Sequence, residues 1–280
     1  MISRLTGAGV RAFLVMTLVA MPSAFLPEAG SDTRQMVALI ALFAATITFV
    51  EYFADYPSLV EFRDAPPFNR LRFLALFVTV LWLSVLLTTT PGSAPPARAA
   101  SALAHLLGGA LDFPYSPVGL VTALGKTEAT TAAQALLLAA AALSLVVALA
   151  ALVCFALIIH LGRWPAPVPA FNMWVNLPTL ELAVGSNAVT QLQRHARINV
   201  VLGLILPFLV PALARLATPG LGALMPSSPQ TMIWTVAAWT FIPLSLLMRG
   251  LAFARIATLI RNRHRASGGA AHEERRLAPV

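Results

Sequence analysis

The sequence predicts an all-α integral membrane protein, a bundle of six transmembrane helices with both termini in the cytoplasm and short interfacial helices in its loops. Composition is the first observation behind this prediction, because 58% of the 280 residues are hydrophobic and only 11% are charged. A soluble domain has roughly a quarter charged residues, whereas the mean hydropathy here is +0.80. The other two observations are a series of apolar runs and an uneven distribution of arginine.

Each apolar run is interpreted as one span, because crossing the hydrocarbon core takes about 20 apolar residues. The predicted spans cover about 12–27, 35–53, 71–89, 132–161, 200–216 and 231–250. The first run is short, so a cleaved signal peptide is the alternative. Pro22-Ser23-Ala24 is a poor cleavage site, which favours a retained span. We predict one transmembrane domain over 1–265 and a disordered cytoplasmic tail over 266–280.

The arginines determine the predicted orientation. With the N-terminus inside, fifteen of the nineteen basic residues lie on the cytoplasmic side, as the positive-inside rule requires. The eighteen arginines against one lysine, together with abundant alanine, are typical of a GC-rich bacterial genome. The predicted location is therefore the bacterial inner membrane. The net charge of +8 is assigned to cytoplasmic loops and anionic lipid headgroups, and no nucleic-acid partner is predicted.

The densest polar chemistry lies in the predicted cytoplasmic loop 51–73, which contains four of the eleven acids and two of the three tyrosines. Residues 58–61 (SLVE) match a capping box, so a short helix is predicted to begin at Ser58 and to end at Pro66-Pro67. We predict partner contacts from this loop and from the second cytoplasmic loop, 162–199. The alternative is a solvated loop whose acids and arginines pair with one another. The candidate contact residues are Tyr52, Asp55, Tyr56, Glu61, Arg63, Asp64, Arg70 and Glu181.

The two cytoplasmic loops resemble each other faintly. Residues 55–59 (DYPSL) and 176–180 (NLPTL) share residue character, and each follows a helix that enters the cytoplasm. A parallel duplication of helix, loop and helix is topologically allowed. Chance similarity is the competing interpretation, because Leu182 stands where the second loop would need a capping-box glutamate.

Two spacings indicate how the predicted helices are arranged. Small residues recur every four positions in the fourth span, which lets a neighbouring helix approach closely. These helix-packing candidates are Ala140, Ser144 and Ala148. In the connection 91–131, leucines recur every three or four positions, which predicts a helix lying in the membrane interface. That leucine face consists of Leu103, Leu106, Leu107 and Leu111.

Helix-bending residues and a basic segment mark the last two spans. Glycine and proline weaken a helix and serve as gates in transporters, although plain packing kinks are the alternative. The hinge candidates are Gly203, Pro207, Pro211 and Pro243. The sixth span continues as a basic helix that suits an anionic membrane surface. The lipid-headgroup candidates there are Arg255, Arg261, Arg263 and Arg265.

No cofactor, metal or catalytic centre is predicted. His160 and His195 lie on the same side and could supply two imidazoles to a haem, but no ligand pattern flanks them. Cys154 is the single cysteine, and nucleophile and phosphate-binding motifs are absent from the sequence. The middles of the spans also lack ionisable residues, which ion-coupled transport would need.

The leading functional hypothesis is a non-catalytic accessory or scaffold subunit of a membrane complex. It would hold another membrane protein, or a second copy of itself, through the loops 51–73 and 162–199. The contrast between inert spans and sequence-rich loops motivates this hypothesis. The alternative is a carrier or channel for a small molecule or lipid, with gating at the proline-bearing spans five and six. A membrane enzyme that uses the loop carboxylates ranks third.

Overall fold

The computed structural model describes residues 2–26, 30–56, 58–123, 131–162, 164–165, 176–177, 187–217 and 228–277. Every regular element within these ranges is a helix. The helices are α1 (Ile2–Phe25), α2 (Ser31–Phe53), α3 (Phe68–Thr88), α4 (Pro95–Leu111), α5 (Pro117–Thr122), α6 (Thr131–His160), α7 (Asn187–Ala217) and α8 (Pro229–Leu277). All but α4 and α5 are long and apolar enough to cross a membrane. The predicted all-α class and its six long apolar helices are confirmed.

Several helices extend beyond the apolar runs that predicted them. α1 begins at Ile2 and α7 at Asn187, well before the predicted starts of their spans. Hydropathy detects only the part of a helix that suits hydrocarbon, whereas the helix itself continues as long as its backbone is hydrogen-bonded. α8 continues to Leu277 and so covers most of the tail predicted to be disordered. Its end is rich in alanine, glutamate and arginine, which are strong helix formers.

The six long helices alternate in direction, so the bundle has two ends. We call one end the loop face, where α2 and α6 end, α1 and α7 begin, and the loop 54–67 lies. An ion pair between Arg4 of α1 and Asp55 lies at the edge of the loop face. We call the opposite end the far face, where α1 and α3 end and α8 begins.

Aromatic rings fill the core beneath the loop face. Ring centroids lie 4.5 Å apart for Phe62 and Phe68 and 5.3 Å apart for Phe155 and Trp164. Together with Phe253 of α8, these side chains are fully buried. Tilted and edge-on ring contacts stabilise a core beyond the area they bury. The loop 54–67 is thus packed into the bundle through Phe62.

The predicted small-residue stripe of α6 lies inside the chain's own core. Ala140, Ser144 and Ala148 are buried, and the Ser144 hydroxyl donates to the Ala140 carbonyl at 2.8 Å. Ala140 belongs to the cluster of Ile233 at the start of α8, and Ala148 to that of Leu244 further along. These small side chains therefore lie in the core of the bundle, in or beside clusters to which both α6 and α8 contribute.

α4 crosses α6 at a glycine. A Cβ atom on Gly108 would lie 3.3 Å from backbone atoms of Ala139. Of the predicted leucine face, Leu107 and Leu111 pack against the core, whereas Leu106 is 70% exposed. Part of the leucine face therefore packs against the bundle, and part of it is exposed. An interfacial position for α4 stays a prediction.

α7 and α8 form a close antiparallel pair because each offers a glycine to the other. A Cβ atom on Gly203 would lie 2.6 Å from the Leu247 side chain and 3.0 Å from the Pro243 carbonyl oxygen. A Cβ atom on Gly250 would lie 2.6 Å from the Val200 side chain. Any larger residue at either glycine would push the helices apart.

A proline in α7 creates a bond to α8. Pro211 has no N–H group, so it leaves the carbonyl of Pro207 without its intrahelical partner. The indole N–H of Trp239 donates to that carbonyl at 3.1 Å. The segment predicted to be a hinge therefore carries a hydrogen bond between helices, and a gating role for it stays a prediction.

Candidate contact surface at the loop face

Glu51, in the last turn of α2, holds the start of the loop 54–67. Its carboxylate accepts hydrogen bonds from the backbone N–H groups of Ser58 at 3.0 Å, Leu59 at 3.0 Å and Val60 at 3.3 Å. It also accepts from the Ser58 hydroxyl at 2.5 Å. Glu51 is buried, and hydrogen bonds to an ionised carboxylate are the stronger kind. One side chain thereby fixes three consecutive loop residues.

The capping-box helix predicted at Ser58 was wrong. Residues 58–65 form turns and bends. The Ser58 hydroxyl donates to Glu51 instead of accepting from a helix N–H, and Glu61 binds Arg249 instead of reaching back to Ser58. The physical reason is competition, because the Glu51 carboxylate binds the donors that a first helical turn would leave unpaired.

Arg63 ties the other side of the loop to α2. Its guanidinium donates to the carbonyl oxygens of Glu51 at 3.0 Å, Ala54 at 2.6 Å and Asp55 at 3.1 Å. Carbonyls at a helix C-terminus have no intrahelical donor, and a cation there also complements the helix dipole. Arg63 was predicted to contact a partner, but its side chain is only 10% exposed and its donors bind the chain itself.

Asn176, in the second loop, meets the first loop directly. Its backbone carbonyl accepts from the Phe62 N–H at 2.7 Å, and its side-chain oxygen accepts from the Asp64 N–H at 3.1 Å. These bonds flank Phe62, whose φ of 54° is uncommon outside glycine. The indole N–H of Trp164 also donates to the Ala65 carbonyl at 3.0 Å. Trp164 and Asn176, from the described part of the second loop, thus bind the first loop directly. Duplication of the two loops stays a prediction.

An ion pair joins the loop to α8. Arg249 donates through Nε and Nη2 to the two carboxylate oxygens of Glu61, at 2.7 and 2.6 Å. This bidentate geometry is the strong form of an arginine–carboxylate contact. Arg249 lies about 30 Å along α8 from Pro229, which matches the thickness of the hydrocarbon core. Glu61 was predicted to contact a partner, but its carboxylate binds inside the chain.

Arg72 lies near this ion pair, between aromatic rings. Its guanidinium carbon is 5.3 Å from the Phe68 ring centre and 5.6 Å from the Phe241 ring centre. Its Nε also donates to the Ser245 hydroxyl at 3.2 Å. Aromatic faces and a hydroxyl replace part of the hydration that a partly buried guanidinium loses. Arg72 therefore helps to attach α3 to α8.

The exposed residues of the loop face form the surface that a partner could reach. Tyr56 is 82% exposed and Leu59 is 66% exposed. Tyr52 is partly buried instead, with the Arg11 guanidinium 4.6 Å from its ring centre. Glu181 lies outside the described residues. The predicted contact residues that are exposed are Asp55, Tyr56, Asp64 and Arg70.

The basic end of α8 is partly used in packing. The Arg255 Nε donates to the Trp164 carbonyl at 3.3 Å. The Arg261 Nε is buried and has no hydrogen-bond partner among the described residues. The side chains of Arg263 and Arg265 lie outside the described part of the chain. Headgroup binding by these four arginines stays a prediction.

His160, His195 and Cys154 are outside the hydrogen bonds described above for the loop 54–67. His160 is exposed, and the His195 ring packs against Phe253 with centroids 6.2 Å apart. Cys154 is exposed and free. Within the described ranges, no three His, Cys, Asp or Glu residues come together as metal ligands would.

Three residues that build the surface were absent from the predicted contact set. Glu51 could have been identified from the sequence, because a carboxylate in the last turn of an otherwise apolar helix needs a partner. Asn176 and Arg249 could not have been identified from the sequence, because they bind residues 112 and 188 positions away. Chemically, the arrangement offers a fixed loop with an exposed tip at Tyr56 and Leu59. The carboxylates of Glu51 and Glu61 already bind donors of the chain itself.

Comparison of the chain with protein-family models, with curated proteins and with solved structures found no match.

Proposed function

We propose that the protein is a non-catalytic scaffold or accessory subunit of a membrane complex, and that the loop face binds its partner. The observation that carries the proposal is a loop fixed to the bundle with an exposed tip. Glu51 and Arg63 hold the loop 54–67, while Tyr56 and Leu59 keep 82% and 66% of their surface exposed. A preorganised loop loses little conformational entropy on binding, and tyrosine is a frequent interface anchor.

The carboxylates of the loop face support binding over catalysis. A general acid or base must exchange a proton with a substrate within hydrogen-bond reach. Glu51 accepts from three backbone N–H groups, and Glu61 is held by Arg249 through both oxygens. Such bonds favour structural roles for both carboxylates. The exposed Asp55 and its ion-pair partner Arg4 suit the polar rim of an interface.

The partner would meet this surface on the cytoplasmic side of a bacterial inner membrane. The excess of arginine at the loop-face ends of the spans supports that side through the positive-inside rule. The partner is another membrane protein or a second copy of this chain. Either would add contacts in the plane of the membrane to those made by the loop.

Co-purification tests the proposal. The tagged full-length chain, extracted from native membranes in a mild detergent, is expected to bring down a partner in fixed stoichiometry. Combining Tyr56→Ala with Leu59→Ser should remove the partner while leaving the fold intact, because both side chains are exposed. Tyr115→Ala is the matched control, since Tyr115 is 88% exposed in the turn before α5. A chain that purifies alone as a monomer would contradict the proposal.

A second candidate is a carrier for a lipid or another apolar molecule. It is favoured by a cavity of about 210 Å³ between α6, α7 and α8, which includes Gly203, Pro207 and Pro243 in its lining. The cavity is otherwise apolar apart from Thr240 and the indole of Trp239. The Thr240 hydroxyl bonds to carbonyls of its own helix at 3.2 and 3.3 Å. Its cargo would therefore be apolar.

Lipid transfer in proteoliposomes tests the carrier. Leu149 is 48% exposed at the edge of the cavity, so Leu149→Trp should fill it without disturbing the core. The carrier hypothesis expects the transfer of a fluorescent lipid to slow in this variant. An unchanged rate, or no transfer by the unaltered chain, would reject it.

A further inference from the structure

A cavity of about 610 Å³ lies between α1, α2, α3 and the loop 54–67. Its volume is within the range of small-molecule sites, about 300–1,000 Å³. It differs from the apolar cavity beside α7 because charged and polar groups line one part of it and apolar side chains the rest. The arrangement of these two kinds of group identifies the ligand class.

Polarity changes with depth along the two helices that run inward from the loop face. α1 contributes Arg11 near the loop face and Leu14 about one turn deeper. α3 contributes Arg70 and, about one turn deeper, Leu74. Because both helices show the same order, the cavity is cationic at the loop face and apolar about 5 Å further into the bundle. Such a gradient fits an amphiphile with an anionic head.

The charges at the loop-face end are not balanced within the cavity. Arg63 and Asp64 lie there as a pair, with Nε 3.4 Å from the carboxylate oxygen. Arg11 donates to the Gly7 carbonyl at 2.8 Å and rests on the Tyr52 ring. Among the described residues, neither Arg11 nor Arg70 has a carboxylate within ion-pair distance. Arg11 and Arg70 therefore line the same cavity as cations without a carboxylate partner.

The cavity opens sideways to the surroundings of the bundle. Leu14 of α1 and Leu74 of α3 both line the cavity and are 37% and 54% exposed, so this part of the cavity reaches the outer surface of the bundle. In a membrane this side faces acyl chains, so a lipid could enter with its chain along the two leucines. A soluble anion would bind the arginines but would leave the apolar part of the cavity unoccupied.

We propose that this cavity binds one anionic phospholipid, with its phosphate between Arg11 and Arg70 and an acyl chain along Leu14 and Leu74. Basic pockets between transmembrane helices are suited to anionic headgroups. The proposal does not rest on the scaffold function, because that function is argued from the exposed Tyr56 and Leu59, which do not line the cavity.

Native mass spectrometry of the full-length protein tests the site. The purified chain is supplied with equal amounts of phosphatidylglycerol and phosphatidylcholine that carry the same acyl chains. We expect selective retention of one phosphatidylglycerol. Arg70→Gln and Arg11→Gln should each weaken that retention about fivefold, the effect of one arginine near an anionic headgroup.

Matched variants separate the lipid from other anions. Arg98→Gln removes an exposed arginine from the first turn of α4 at the far face and should leave binding unchanged. Leu74→Ser should weaken binding of the lipid but not of glycerol phosphate, which has no acyl chain. Arg70 is exposed, so its variant also tests the site if Arg11→Gln fails to fold. Equal retention of both lipids, unchanged binding in Arg70→Gln, or full displacement by inorganic phosphate would overturn the proposal.

Discussion

Breaking the ion pair between Glu61 and Arg249 should destabilise the loop face more than any surface change. The Glu61 side chain is 11% exposed and the Arg249 side chain 32% exposed, with N···O distances of 2.6 and 2.7 Å. Removing one partner of a fully buried pair costs about 3–5 kcal/mol. Because Arg249 keeps some contact with its surroundings, we expect Glu61→Gln or Arg249→Met to lower the free energy of unfolding by about 2–3 kcal/mol.

A double-mutant cycle measures this contact. Unfolding of the detergent-solubilised chain is followed by tryptophan fluorescence as sodium dodecyl sulfate is added. Because the double variant leaves neither member of the ion pair buried without the other, Glu61→Leu with Arg249→Met should be less destabilised than the sum of its two single variants by about 2 kcal/mol. Additive effects would mean that the two side chains stabilise the fold independently, and would rule out a stabilising ion pair between them.

Three further predictions follow from the contacts of the loop and of α7 with α8. Glu51→Gln should speed amide hydrogen exchange at residues 58–60, because an NH₂ group would replace one of the two acceptor oxygens there. The control Asp55→Asn, at an exposed position, should leave this exchange unchanged. Equal exchange in both variants would contradict the role of Glu51 in holding residues 58–60. Gly203→Ala should lower the free energy of unfolding by about 1–3 kcal/mol through overpacking, while Gly109→Ala, with no atom within 4 Å of the added Cβ, should not destabilise. Trp239→Phe should cost about 1 kcal/mol for the lost bond to α7, and unfolding curves that match the parent would reject that bond.

Hydropathy predicted the long helices because a chain in hydrocarbon must satisfy every backbone polar group within a helix or barrel. It could not predict where the helices end, since the polar turns at Ile2 and Asn187 lie outside the apolar signal. The stripe of Ala140, Ser144 and Ala148 was visible because small residues at four-residue spacing form a smooth helix face. Which helices would surround that face required the three-dimensional arrangement.

The loop was harder to predict because its contacts compete with one another. The capping box at residues 58–61 is a valid local signal, but Glu51 offers the same N–H groups an ionised acceptor already fixed by α2. From the sequence, Glu61 and Arg63 were interpreted as charged residues that are exposed on the loop. In the structure, Glu61 binds Arg249, 188 residues away, and Arg63 binds carbonyls at the end of α2. Contact of either residue with a partner stays a prediction. Charge density indicated where the structured surface lies but not which of its residues are available to a partner.

Photo-crosslinking in intact native membranes tests whether the loop tip at Tyr56 binds a partner. A benzophenone amino acid replaces either Tyr56, at the loop tip, or Tyr115, which is similarly exposed at 88% but lies in the turn before α5. One discrete crosslinked product is expected from position 56 and none from position 115. No product from position 56, or the same products from both positions, would contradict binding of a partner at the loop tip.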